Sequence, residues 1–365
     1  MNASHVQGWA GSLKRMQTRR CATRGPALVL SLVFWLSQCV PACAREVIDM
    51  AGRKVTLPDH IERAWGSAPP LSVLLAMVAP QTLVGWNLVL PPHAERYLPP
   101  GLADKPVLGG VYGMGRAADA EEVLAARPQV VLAWKSPLVD PVMVETFFAK
   151  LKIPVVFVTL DTLADWPAAL RFTADVLGTS KAEAAAQASD VQQAMDKVKA
   201  AVGGLPEGDK VRVYYAEGPA GLNTDCHTSF HTEAIELAGG WNIHRCQPRT
   251  HMGMEAISLE EVIAADPQVI IAQDPAFAVA VVKDPRWQGI SAVRQHRVHV
   301  VPRLPMNWID RPPSAMRALG IQWLAQRFYP QRYPIDLPAE AARFYQRFLH
   351  VRLSTADLQT LLAQP

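Results

Sequence analysis

Between Cys226 and Met254 the chain collects side chains that could coordinate a metal: His227, His231, His244 and His251, with Met252, Met254, Cys226 and Cys246. Four of the ten histidines fall there. Imidazole and sulfur donors suit nickel, cobalt, copper or zinc, whereas hard ferric iron favours oxygen. His227 and His231 are four residues apart, so one helical face could present both, with His231 at the start of a helix expected over 230–238. His227, His231 and His251 are therefore candidate metal ligands, against the plainer alternative of surface or cap-satisfied histidines. No HExxH, GxSxG, P-loop or GxGxxG pattern occurs, and no acid stands as an evident general base beside paired ligands. A secreted metalloenzyme using this cluster is the rival to a binding module without catalysis.

A second set of residues suits an anionic, ring-bearing ligand. Tyr112, Arg116, Trp134, Lys135, His227, His231, Arg249, His251, Trp308 and Arg311 all fall in segments that read as loops or loop edges. Guanidinium pairs carboxylates or catecholates bidentately, and indole packs on flat rings. The elements that must position them are announced by a repeat. Residues 119–133, DAEEVLAARPQVVLA, return at 258–272 as SLEEVIAADPQVIIA, with nine of fifteen letters shared. Each copy opens on an N-cap residue, Asp119 or Ser258, with Glu122 or Glu261 three positions on, the pattern of a capping box. A short helix comes next and ends before Pro128 or Pro267. The β-branched run after each proline reads as a buried parallel strand. A repeat at this long offset implies two similar α/β lobes, each a mainly parallel sheet with flanking helices.

Between the copies, 180–202 runs without Gly or Pro, and Ala184, Ala188, Val191, Met195, Val198 and Val202 form one apolar stripe. Such a helix is about 35 Å long and braces the lobes where a Gly/Ser linker would let them flex. The predicted order is a signal over 1–44, an N-terminal lobe over 45–162, a helical linker over 163–204, a C-terminal lobe over 205–310 and closing helices over 311–365. Near the start, EVIDMAGRKVTLP reads as a hairpin turning at Gly52. A strand is expected over 82–86, and the closing helices over 315–328 and 338–362.

Residues 1–44 hold five of the 36 basic side chains and none of the 33 acidic ones, so the remainder is slightly acidic. That disfavours nucleic acid as a partner. The basic stretch, the apolar core ALVLSLVFWL and Ala42-Cys43-Ala44 read as an export signal, too short to span a bilayer as a permanent helix. Export with cleavage before Arg45 places the chain in the periplasm. The alternative is a lipid anchor at Cys43, and Met16 competes with Met1 as the start. In that compartment Cys226 and Cys246 are expected as a disulfide contributing about 3 kcal/mol. Two thiolates serving a soft metal are the competing assignment.

DMAGRKVTLP, the paired EEVxAAxPQV segments, YYAEGPAGLNT with SFHTEAIELAGGWN, and LPMNWIDRPPSAMRALGIQWL resemble, in that order, the substrate-binding proteins of iron–siderophore and vitamin B12 ABC uptake. The resemblance covers nearly all of the chain after the signal. It implies two α/β lobes joined by one rigid helix, with a metal chelate held between them, no catalysis and no intrinsic cofactor. It further implies a monomer that hands its cargo to an inner-membrane ABC permease. A ferric siderophore is the first expectation for that cargo; a nickel or cobalt chelate, cobalamin, haem and molybdate are the alternatives. By the same resemblance Glu121 and Glu260 dock on permease arginines, although a carboxylate in a first helical turn also simply favours the helix dipole.

Overall fold

The computed structural model describes residues 44–112, 115–136, 139–249 and 252–363. The stretch expected as an export signal, save its last residue Ala44, lies outside the described residues, as do Cys43 and His251. The chain opens with an antiparallel hairpin of β1 (Ala44–Ile48) and β2 (Lys54–Pro58), turning through Gly52 at φ 79°. Asp49 pins it to the first sheet, accepting the N–H groups of Ala51 and Arg53 at 2.9 Å and of Phe157 at 3.1 Å.

That sheet is parallel, in the order β3 (Ala64–Gly66), β4 (Val130–Trp134), β5 (Val155–Val158). Every residue of the three strands is buried, as sheets covered on both faces require. The stretch expected as a strand over 82–86 makes only isolated bridges, Leu83 to Ala64 and Trp86 to Val107. Its backbone is spent on these single pairings, with a short 3-10 turn over Pro80–Thr82 before them.

The second sheet contains β6 (Val211–Ala216), β8 (Gly240–Asn242), β10 (Val269–Ala272) and β11 (Val298–Val300). All its pairings are parallel, in the order β11-β10-β6-β8. A two-residue ribbon of β7 (Asn223–Thr224) and β9 (Glu255–Ala256) lies beside it. The repeated strands, β4 and β10, are interior in their sheets.

The helix Lys181–Val202 comes after the first sheet in sequence and precedes the second. Ser180 caps it by accepting the Glu183 N–H at 3.2 Å. It buries Ala184, Gln187, Ala188, Val191, Ala194, Val198 and Val202, packing on the helices Trp166–Leu177 and Arg317–Phe328. Met195, expected on the buried stripe, is only half-buried, and Gln187 occupies the core instead. Its amide donates to Met77 O at 2.9 Å and Arg347 O at 3.1 Å, so a polar residue ties three elements together.

Two expected helices are shorter than their periodicity suggests. The segment 230–238 is helical only over Glu233–Leu237. Turns precede it because the Thr232 hydroxyl donates to Cys226 O at 2.7 Å and its N–H to Ser229 O at 3.1 Å. The closing stretch is two helices, Leu337–Phe348 and Thr355–Leu362; His350 turns left-handed at φ 56° and Ser354 opens a new capping box.

The two repeat helices, Ala120–Ala125 and Leu259–Ala265, begin differently. Ser258 and Glu261 form the full capping box. Asp119 accepts the N–H groups of Glu121 and Glu122, but the Glu122 carboxylate turns away to Arg116, so the reciprocal half is missing. The expected box holds in one copy only. An arginine within reach outcompetes a single backbone N–H, because both members of the resulting pair are charged.

Candidate functional site

The carboxyl ends of the parallel strands converge on one cleft. After β3 come Pro69 and Ser72, after β4 the end residue Trp134, after β10 Gln273 and Asp274, and after β11 Arg303 and Met306. Open α/β sheets place ligands at this edge, where strand ends leave loops free to diverge. The larger cavity of this cleft measures about 330 Å³, and an apolar recess of about 80 Å³ shares Pro69, Leu88, Arg311 and Pro312 with it. The combined space is of the size that holds a small organic ligand or a compact metal complex.

One wall is aromatic. Tyr112 and Trp134 meet edge to face at 6.0 Å, Trp134 meets Phe230 likewise at 6.0 Å, and Phe230 lies 4.0 Å from the His231 ring. The chain of rings thus crosses from the first sheet's side to the second's. Each edge-to-face pair adds about 1 kcal/mol to the burial of its rings.

The same recess is also lined by Arg311, the centre of a buried charge network. Its Nε lies 2.7 Å from Glu217 and 3.4 Å from Asp310, its second terminal nitrogen 3.1 Å from Asp225, and its first donates to Met252 O at 3.2 Å. Asp310 also holds His231 Nδ1, at 2.7 and 2.9 Å to its two oxygens. Three carboxylates this close cannot all ionise cheaply. Burial, with the neighbouring Glu217, pushes Asp225 up to about 8. Burial raises Glu217 as well, against the pull of Arg311. Burial would raise Asp310 too, but His231 and Arg311 outweigh it and hold that carboxyl below its ordinary value. Gly253, at φ 63°, belongs to the same construction: a Cβ there would sit 2.1 Å from an Asp225 oxygen.

The sequence-predicted residues divide. Tyr112, Trp134, His231 and Arg311 line the cleft. His227 lines a different cavity with Asp161, Lys210 and Glu233, and no helix presents it beside His231, since the helix starts only at Glu233. Trp308 is fully buried and donates to the Tyr345 hydroxyl at 3.0 Å, so it is core rather than ligand wall. Arg116 pairs with Glu122 on the surface, Lys135 donates to Met50 O at 3.1 Å, and Arg249 pairs with Glu255; none of the three lines the cleft. Cys226 and Cys246 are joined, with Cα atoms 5.0 Å apart. Sequence reasoning misses Glu217, Asp225, Asp310 and Arg303. The visible signals are an acid directly after an apolar strand (YYAE) and an Asp-Arg pair inside an apolar run (NWIDRPP).

Glu121 and Glu260 are both exposed, each the second residue of its repeat helix. Three residues on, Leu124 and Ile263 are both exposed apolar side chains, each at 44%.

Comparison with known proteins agrees with this architecture. A family model described as periplasmic binding protein matches residues 92–303. The molybdate-binding protein MolA of Haemophilus influenzae is 28% identical over 334 residues, covering 83% of this chain and 90% of that protein. A vitamin B12-binding protein of Pectobacterium carotovorum is 28% identical over 173 residues, 47% of this chain and 60% of that protein. The solved structure of an ABC transporter solute binding protein from Sulfurospirillum deleyianum superposes with a TM-score of 0.81 at 36% identity, covering 87% of this chain and 98% of that one.

Proposed function

The chain belongs to the periplasmic binding protein family, and on that premise we propose that its cargo is an anionic metal chelate, a ferric siderophore first, held in the cleft with the ring-lined recess at one end and Arg303 at the other. It is an ABC-transport solute-binding protein and not an enzyme, and proteins of this class carry cargo rather than an intrinsic cofactor. The observation that carries the reading is the asymmetry of the cleft. An organic chelator's rings suit Tyr112, Phe230 and the prolines Pro69, Pro312 and Pro313. Its charge suits Arg303 at the other end, an exposed guanidinium.

A bare oxyanion is the second reading, favoured by the 28% identity with a molybdate-binding protein over most of both chains. Such an ion needs several donors converging on a small volume. The guanidinium of Arg311 is engaged by Glu217, Asp225 and Met252 O, which favours the chelate. Titration monitored by the fluorescence of cleft tryptophans Trp86 and Trp134 separates the two. Saturable micromolar or tighter binding of a ferric siderophore, without response to molybdate, supports the chelate; the reverse supports the oxyanion.

Delivery rests on the matched pair Glu121 and Glu260 as contacts to permease arginines, with Leu124 and Ile263 as apolar neighbours on both repeat helices. Glu121→Lys with Glu260→Lys should abolish uptake in cells and leave the ligand Kd within about twofold. Unchanged uptake would remove the docking role.

A further inference from the structure

The disulfide Cys226–Cys246 has two further metal-binding side chains around it. Donor atoms of Cys226, His244, Cys246 and Glu255 all lie within 4.8 Å of one another. Cys226 Sγ is 3.8 Å from Glu255 Oε1, and that carboxylate is oriented from behind by the Arg249 N–H at 2.8 Å. Cys226 is buried and Cys246 half-buried. Two sulfurs, an imidazole and a carboxylate are a complete tetrahedral donor set for zinc or a similar borderline cation. The bridge alone prevents its use, because the thiolate is the metal ligand.

We propose that the dithiol form of this chain binds one zinc-like cation through Cys226, Cys246, His244 and Glu255, and that closing the disulfide expels it. A thiol-class reductant supplies two electrons and two protons, opens the S–S bond to two thiols and leaves as its own disulfide. The cation then displaces both thiol protons. In reverse, a small-molecule disulfide accepts the two electrons, the protein's S–S bond forms, the cation leaves, and two protons from solvent complete the reduced thiols. The site lies outside the cargo cleft: none of its four residues lines either cavity there.

The test is cobalt(II) titration of the purified chain after reduction by a tertiary phosphine, which takes its oxygen from water and does not compete as a thiolate. One cobalt per chain is expected, with tetrahedral d–d bands and a sulfur-to-cobalt charge-transfer band, and none in the unreduced chain. His244→Asn and Glu255→Gln should each weaken binding about tenfold or more, and Cys226→Ser should remove the charge-transfer band's normal intensity. Far-ultraviolet circular dichroism of the reduced chain should match that of the oxidised one. A reduced chain that unfolds, cobalt bound equally by the oxidised chain, or affinity indifferent to both His244→Asn and Glu255→Gln would each overturn the site. Those two variants leave the cysteines in place, so the test stands even if Cys226→Ser does not fold.

Discussion

The two copies of the repeat build the same unit from nine shared letters, yet the segments past their strand ends differ in kind. Strand β4 ends on Trp134, whose ring lines the cleft beside Tyr112. After β10 the chain contributes Gln273 and Asp274, and the neighbouring strand β6 runs directly into Glu217. The first repeat's side of the cleft is thus aromatic, and the second's sets one ring, Phe230, beside the ionic network. The repeat sets the frame and the outward helices; the segments past the strand ends line the cleft.

Breaking the ionic network should have the largest effect. Arg311→Met leaves Glu217, Asp225 and Asp310 without their shared cation, and stranding a buried charge costs about 3–5 kcal/mol. Urea unfolding should show that loss, with cargo binding lost in parallel. A cost under about 1 kcal/mol would mean that the network is solvated.

Acid and base should expose the same side of the molecule next. Burial, with Arg327 and Arg297 nearby, holds His299 on β11 down to about 4. The unfolded chain takes up that proton near 6.5 and the folded chain does not, so stability falls as pH drops from 6.5 to about 4. The loss is up to about 3 kcal/mol, and His299→Asn should flatten the slope. Asp225 acts in the opposite direction: folded it keeps its proton up to about 8, unfolded it releases it near 3.8. Its contribution therefore declines as pH rises through that window, and Asp225→Asn should remove the decline. Stability-versus-pH curves of the two variants and the parent check both signs.

The smallest effect sharpens the comparison between the repeats themselves. Ser258→Ala removes a complete capping box and should cost about 1 kcal/mol. Glu261→Ala should be measurably worse than Glu122→Ala, since only Glu261 returns a bond to its own cap. Equal effects in denaturant melts would show that the boxes are equivalent in solution.

Elements whose signal is local are legible in the sequence: the hairpin at Gly52, the two repeat units and the helix capped by Ser180. Where a local pattern meets a tertiary competitor, it misleads. Thr232 and the Cys226–Cys246 bridge hold 226–232 in turns, so His227 and His231 never share a helical face. Trp308 reads as a loop residue, but the Tyr345 hydroxyl across the core gives its indole N–H a partner. The ionic network is illegible for a different reason. Glu217 and Asp225 lie about ninety residues from Asp310 and Arg311 in the chain, and the fold brings the two pairs together. A carboxylate's value lies in its neighbours, which spacing does not reveal.

The most direct test is to purify the chain natively and submit it to elemental analysis together with mass spectrometry of whatever it carries. The expected result is iron with an organic chelator at one per chain, released intact on unfolding. Molybdenum without an organic partner would contradict the chelate reading and transfer the cleft to an oxyanion.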